Sequence, residues 1–161
     1  MHLRQPRPMP ASTAGFALLY VLMMLTVLAG AGAVVAQRWA EQVGRAKEQQ
    51  LLRVGDAMAK ALADYRASTP SLDKRFPARL EDLVLDPRFG NPRHHLRQLY
   101  PDPMTGQADW QVIRDAQGGI VGVHSRSERP TWRRVPQRLN FVDLPAATHV
   151  SQWMFTPRML P

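Results

Sequence analysis

The chain reads as an α+β protein. It has one long N-terminal helix, apolar in its first half and amphipathic in its second, packed on a small head with short helices and an antiparallel sheet. Three observations predict this. Residues 16–36, FALLYVLMMLTVLAGAGAVVA, form an uninterrupted uncharged stretch directly after a short basic leader. That stretch runs without a proline into a segment whose apolar residues recur three or four apart. Beyond Pro70 the sequence turns to loop formers, with two short β-prone runs separated by Asp-Ala-Gln-Gly-Gly.

Composition limits the rest. Residues 37–161 suffice for one small domain, not two. The chain has 14 prolines, half of them from Pro101 onward. Proline is excluded from helix interiors and central strands, so a loop-rich, short-stranded C-terminal half is expected. There is no cysteine, so packing alone must hold the head. The net charge of +8 comes from 21 Lys and Arg against 13 Asp and Glu. The surplus is concentrated. The leader carries Arg4 and Arg7 with no acid, and residues 126–161 carry Arg126, Arg129, Arg133, Arg134, Arg138 and Arg158 against Glu128 and Asp143. Such a surplus suits nucleic acid, anionic lipid or an acidic partner, although a solvated arginine-rich surface is the simpler account.

Residues 1–15, MHLRQPRPMPASTAG, have the form of a targeting segment and read as cytoplasmic. Residues 16–36 extend ~31 Å as a helix, enough for the roughly 30 Å hydrocarbon core of a bilayer. The remainder then lies outside the inner membrane. Arg38, Arg45 and Lys47 on the far side leave the charge asymmetry mixed. The rival is an ordinary signal peptide cut after Val34-Val35-Ala36, releasing a soluble domain. Against it, helical periodicity begins at Trp39, as though one helix crossed that boundary.

Residues 37–69 continue the helix. Trp39, Val43, Ala46, Leu51, Val54, Met58, Ala61, Leu62 and Tyr65 form a stripe to lie on the head. Arg38, Glu41, Arg45, Glu48, Arg53, Asp56 and Lys60 form the opposite, solvated face, with Glu41–Arg45 and Asp56–Lys60 as i,i+4 pairs. Gly44 and Gly55 are each expected to weaken the helix by ~1 kcal/mol relative to alanine. Gly30 and Gly32 mark a soft point, and Ser68-Thr69-Pro70 ends the helix.

The head spans residues 70–161 and ends in a basic, proline-rich segment. Short helices are expected over 78–85 and 93–99. Tyr100-Pro101-Asp102-Pro103-Met104-Thr105-Gly106 is dense in turn formers. Strands are expected over 110–114 and 120–125, joined by a turn at 115–119, with a late strand over 152–155.

Three segments together resemble the pseudopilin and type IV pilin-like family, most closely the G-type pseudopilins of type II secretion. The first is Thr13-Ala14-Gly15-Phe16-Ala17-Leu18-Leu19, a glycine–phenylalanine junction opening an apolar helix. The second is Phe76-Pro77-Ala78-Arg79-Leu80-Glu81-Asp82-Leu83, similar to the family's aromatic-Pro-x-x-Leu-x-x-Leu segment. The third runs from Leu99 through Pro101, Asp102, Pro103 and Gly106 to Trp110, similar to the family's turn entering the sheet. The resemblance implies cleavage between Gly15 and Phe16 by a prepilin peptidase and N-methylation of Phe16. It further implies residence in the bacterial inner membrane as a single-pass protein with a periplasmic head. The subunit would then assemble with other pseudopilins on the secretion platform into a periplasmic pseudopilus. It implies no enzyme activity and no cofactor. Tyr20 departs from the pattern, since the fifth mature residue in the family is usually glutamate, thought to pair with a neighbour's N-terminal amine. Some minor, tip-located pseudopilins also lack it. The family's calcium site is not carried over, because Glu128 and Asp143 are too few for six to eight oxygen ligands.

Other chemistry is weighed and set aside. His94-His95 reads as a solvated surface pair rather than a metal site. Ser125 beside His124 lacks a nucleophile elbow. Glu81-Asp82 reads as capping or solvated, and Gly118-Gly119 as a turn. Trp132, Arg133, Arg134 and Trp153 form a candidate surface for single-stranded nucleic acid. That surface carries the alternative reading, a type IV pilus minor pilin with a DNA-binding or adhesion role.

Overall fold

The protein is described by a computed structural model covering residues 13–70 and 74–158. Helix α1 runs Thr13–Ala67, followed by a 3₁₀ turn at Leu80–Leu83, strands β1 (Gln111–Arg114), β2 (Ile120–His124), β3 (Gln137–Arg138) and β4 (Asp143–Leu144), and a 3₁₀ turn at Val150–Gln152. The strands form two antiparallel two-stranded sheets, β1–β2 and β3–β4. The layout is α+β, as the sequence predicts. The chain divides into two compact units, Met1–Val43 and Gly44–Pro161. Leader residues Arg4 and Arg7 lie outside the described part.

In the first unit α1 begins before Phe16, so the Gly15–Phe16 junction is itself helical. Residues 15–40 are exposed throughout. The helix is long and apolar enough to cross a membrane: its most apolar window has a mean hydropathy of 2.3 and none of it is buried. The threonine in its midst is satisfied locally, Thr26 Oγ1 donating to Met23 O at 2.7 Å. Trp39 and Val43, placed in the buried stripe by periodicity, are 68% and 46% exposed.

In the second unit the burial stripe of α1 comprises Leu51, Leu52, Met58, Ala59, Ala61, Leu62 and Tyr65. These pack into one core with Leu83, Trp110, Ile120, Val123, Val142, Leu144, Val150, Trp153 and Phe155. Burying each large apolar side chain is worth roughly 1.5–3 kcal/mol against the entropy of ordering it. Gly55 sits where the ring of Phe155 meets the helix. In β1–β2, Gln111 pairs with His124, Val112 with Val123 and Ile113 with Gly122, with an irregularity before Arg114. The turn between them is closed by Asp115, whose Oδ1 accepts from Gln117 N at 3.0 Å and Gly119 N at 2.7 Å. Gly118 takes φ +82 there, a conformation that disfavours residues with a Cβ.

Several expectations are corrected. Residues 93–99 form bends rather than a helix, because Asp86 bridges Arg93 and the amides of His95 and Leu96 both donate to Leu83 O. The helix expected over 78–85 contracts to the 3₁₀ turn at Leu80–Leu83. Of the strand expected over 152–155 only Phe155 pairs, bridging Val123. Glu48 is buried rather than solvated. Asp56 turns to the head, accepting from Phe141 N at 2.8 Å and Asn140 Nδ2 at 3.1 Å, while Lys60 pairs with Asp64.

Candidate functional site

The junction Gly15–Phe16 lies in the exposed N-terminal stretch of α1. A Cβ at Gly15 would meet nothing within 4 Å, and Phe16 is 77% exposed. Tyr20 follows one turn later, also exposed and uncharged. From Phe16 through Leu28 the large apolar side chains are bare on every side of the helix. In water this is costly, at about 25 cal/mol per Å² of apolar surface, so the segment requires lipid or other apolar helices around it.

The turn centred on Asp102 is a framework element. Asp102 is fully buried. Its Oδ1 accepts from Met104 N at 2.8 Å and its Oδ2 from Ser125 Oγ at 2.5 Å. Its carbonyl accepts from Gly106 N and its amide donates to Gln107 O, both at 2.7 Å. Gly106 takes φ +78 to close the loop. Pro101 is exposed and Pro103 half-buried on either side. Trp110 Nε1 donates to Tyr100 O at 2.8 Å, which fixes the entry to β1. Ser125 is thus committed to Asp102. The neighbouring His124 reaches only the carbonyl of Ser125, so the two do not form a nucleophile–base pair.

The C-terminal end of α1 is closed by Arg88. Its Nη2 donates to Tyr65 O at 2.9 Å and its Nη1 to Thr69 Oγ1 at 2.7 Å, and its guanidinium lies 3.5 Å from the Tyr65 ring centroid. A cation at this position offsets the negative end of the helix dipole. Asp86 pairs with it through Nη2 at 2.6 Å and Nε at 2.8 Å, and His95 Nε2 lies 3.0 Å from the same carboxylate. Burial pushes Asp86 up, but hydrogen bonds from the Arg88 side chain and backbone and from His95 outweigh it, leaving the carboxyl at about 2. The Asp86 hydrogen bond raises Arg88 in turn, and burial raises Tyr65. His95 is therefore part of an enclosed polar cluster, not the solvated residue expected. His94 contacts Val84 O.

The basic C-terminal segment is tied to α1 by Glu48. Its Oε2 accepts from Trp132 N at 2.7 Å and its Oε1 from Arg133 N at 3.1 Å. Trp132 rests against Gly44, and the Arg45 guanidinium lies 5.1 Å from its ring centroid. Arg133, Arg134 and Val135 are exposed. Trp153, grouped with them by the sequence, is instead wholly buried in the core and cannot stack on a base.

Among the described residues no group of three or more His, Asp or Glu converges as a metal cage. Glu128 accepts from Ser151 Oγ. The hydrogen bond from Arg158 holds Asp143 below the usual carboxylate range. An open cleft of about 460 Å³ beside the β1–β2 turn is lined by Lys74, Phe76, Ala78 and Asp115. Asp115 Oδ1 is engaged in the turn, and Lys74 Nζ donates to Ala67 O and Thr69 O. The polar residues whose structural part sequence reasoning missed are Glu48, Asp86 and Arg88. Their signal was weak, since a charged residue on an amphipathic helix or in a loop is ordinarily solvated. Comparison of the chain with protein families, with curated proteins and with solved structures found no match.

Proposed function

We propose that this protein is a pseudopilin-like structural subunit of a type II secretion system. In this reading residues 1–15 are removed by a prepilin peptidase at Gly15, Phe16 becomes the methylated N-terminus, and the chain waits in the inner membrane with its head in the periplasm. Its work is polymerisation rather than catalysis. The observation that carries the reading is the bare apolar helix of residues 16–36 immediately after a basic leader and a glycine–phenylalanine junction. Such a helix leaves lipid without exposure to water only if like helices surround it. A filament with a helical core and outward heads meets that condition.

Tyr20 bears on which subunit this is. A buried carboxylate in a membrane helix is costly and is retained where it functions. With tyrosine there, this subunit makes no such ion pair with a neighbour's amine, which suits a minor or terminal position better than the repeating one. The test is cross-linking in whole cells. Because the chain has no cysteine, Leu22→Cys gives a unique thiol in the helix. Disulfide-linked copies, or heterodimers with other pseudopilins given a cysteine at the matching helix position, support the reading. A monomer in the soluble fraction, under conditions where the secretion system assembles, contradicts it.

A further inference from the structure

We propose that Arg45, Trp132, Arg133, Arg134 and Val135 form a docking surface for anionic phospholipid headgroups, which holds the head on the bilayer that its own helix enters. The proposal rests on the reading that residues 16–36 span that bilayer.

Trp132 and Val135 are 47% and 60% exposed, and they bracket two exposed arginines. Two apolar side chains left in water beside guanidinium groups have the composition of an interfacial anchor: the indole sits at headgroup depth while the cations meet phosphate. Residues 129–138 contain no acid. The nearest carboxylate on α1, Glu48, has both oxygens occupied by the backbone amides of Trp132 and Arg133. The surface therefore carries net positive charge, Arg45, Arg133 and Arg134 standing over the single buried carboxylate, and that same carboxylate ties it to the helix.

Its position in the fold matters as well. Within the second unit it lies at the Gly44–Arg45 end of the helix. Arg88 and the β1–β2 turn, where Gly119 meets Phe76 beneath Arg66, lie at the other end. Residues 45 and 66 on one helix are ~32 Å apart. The docking end is also the one tethered to the apolar segment: Gly44 follows Ala36 by eight residues, a reach of at most ~28 Å even fully extended. A tethered surface needs little intrinsic affinity, because its effective concentration at the membrane is high. Lipid is favoured over single-stranded nucleic acid because Arg45 already covers the ring of Trp132 and the second tryptophan is buried. A single indole, partly covered, is left there, whereas binding a single strand by stacking uses successive aromatic faces.

The test places single nitroxide labels in the full chain, reconstituted in nanodiscs of phosphatidylcholine with or without phosphatidylglycerol. Val135→Cys reports the surface, Gln117→Cys the far end, and Val27→Cys the span. With phosphatidylglycerol, the label at 135 should lose severalfold in accessibility to a water-soluble relaxation agent, while that at 117 keeps its own. High salt or Arg133→Glu with Arg134→Glu should restore access, each arginine shifting the docked-to-free ratio roughly fivefold. The salt arm is independent of any folding defect in the double variant. If 27 is lipid-protected and 135 is equally accessible in both discs, docking is overturned and the span stands. If 27 is in water, both readings fall. If a single-stranded oligonucleotide protects 135 and phosphatidylglycerol does not, the surface belongs to nucleic acid.

Discussion

Replacing Gly55 by alanine sets two opposed effects against each other. Alanine favours the helix by ~1 kcal/mol over glycine. Its Cβ, however, would come within 2.5 Å of Phe155 Cγ and nearer still to Cδ1 and Cε1. Carbon atoms at ease are 3.5–4.0 Å apart, so the overlap exceeds about 1 Å. The ring has nowhere to go. Phe155 is fully buried, its amide and carbonyl are bonded to Val123 at 2.8 and 3.3 Å, and its ring meets Trp110 edge-on at 6.4 Å. Overpacking of this kind costs roughly 1–3 kcal/mol, rising to about 3–5 if the ring is expelled. With an overlap this large the cost lies at the upper end of the first range, so after the helix gain the net expectation is destabilisation by ~2 kcal/mol, and by ~2–4 kcal/mol if the ring is expelled. Urea denaturation of the full chain in detergent, followed by tryptophan fluorescence, measures it. Combining Gly55→Ala with Phe155→Leu should cost less than the sum of the single changes by at least ~1 kcal/mol. An unchanged or raised midpoint for Gly55→Ala, or strict additivity in the pair, would refute the packing argument.

Three further expectations follow from the polar contacts. Glu48→Ala removes the acceptor of two amides and should cost ~2–3 kcal/mol in the same denaturation assay. Ser125→Ala strips the hydroxyl from buried Asp102 and should cost ~1–3 kcal/mol, with proteolysis of the loop at 101–107 as an independent readout. Asp86, lowered from 3.8 to about 2, takes up its proton later in the folded chain than in the unfolded one. Stability from this group is therefore complete above about pH 4 and is lost as pH falls towards 2, amounting to about 1–2 kcal/mol after allowance for screening. Asp86→Asn should flatten that acid limb of the stability curve.

The helix was legible because its periodicity is long and unbroken, and the β1–β2 hairpin because Asp-Ala-Gln-Gly-Gly specifies a turn. What periodicity does not carry is where the head begins to cover the helix. Trp39 and Val43 belong to the same stripe as Leu51 and Met58, yet burial starts only where Trp132 reaches Gly44. Long-range partners were equally hidden. Glu48 meets amides 84 and 85 residues away, a separation no local pattern encodes. Gly55 looked like a local weakness and is a packing site for a ring 100 positions downstream. Of the residues singled out in advance, the Asp102 turn is coherent in three dimensions, while Trp132 and Trp153 are separated into surface and core.

The central claim is that the apolar segment stays joined to the head after the leader is removed. N-terminal sequencing of the mature chain, purified from membranes of cells carrying the secretion system, tests it most directly. The account predicts a chain that begins at Phe16, bears a methylated amine and partitions with the inner membrane. A chain beginning at Gln37 and recovered from the soluble periplasm would contradict it.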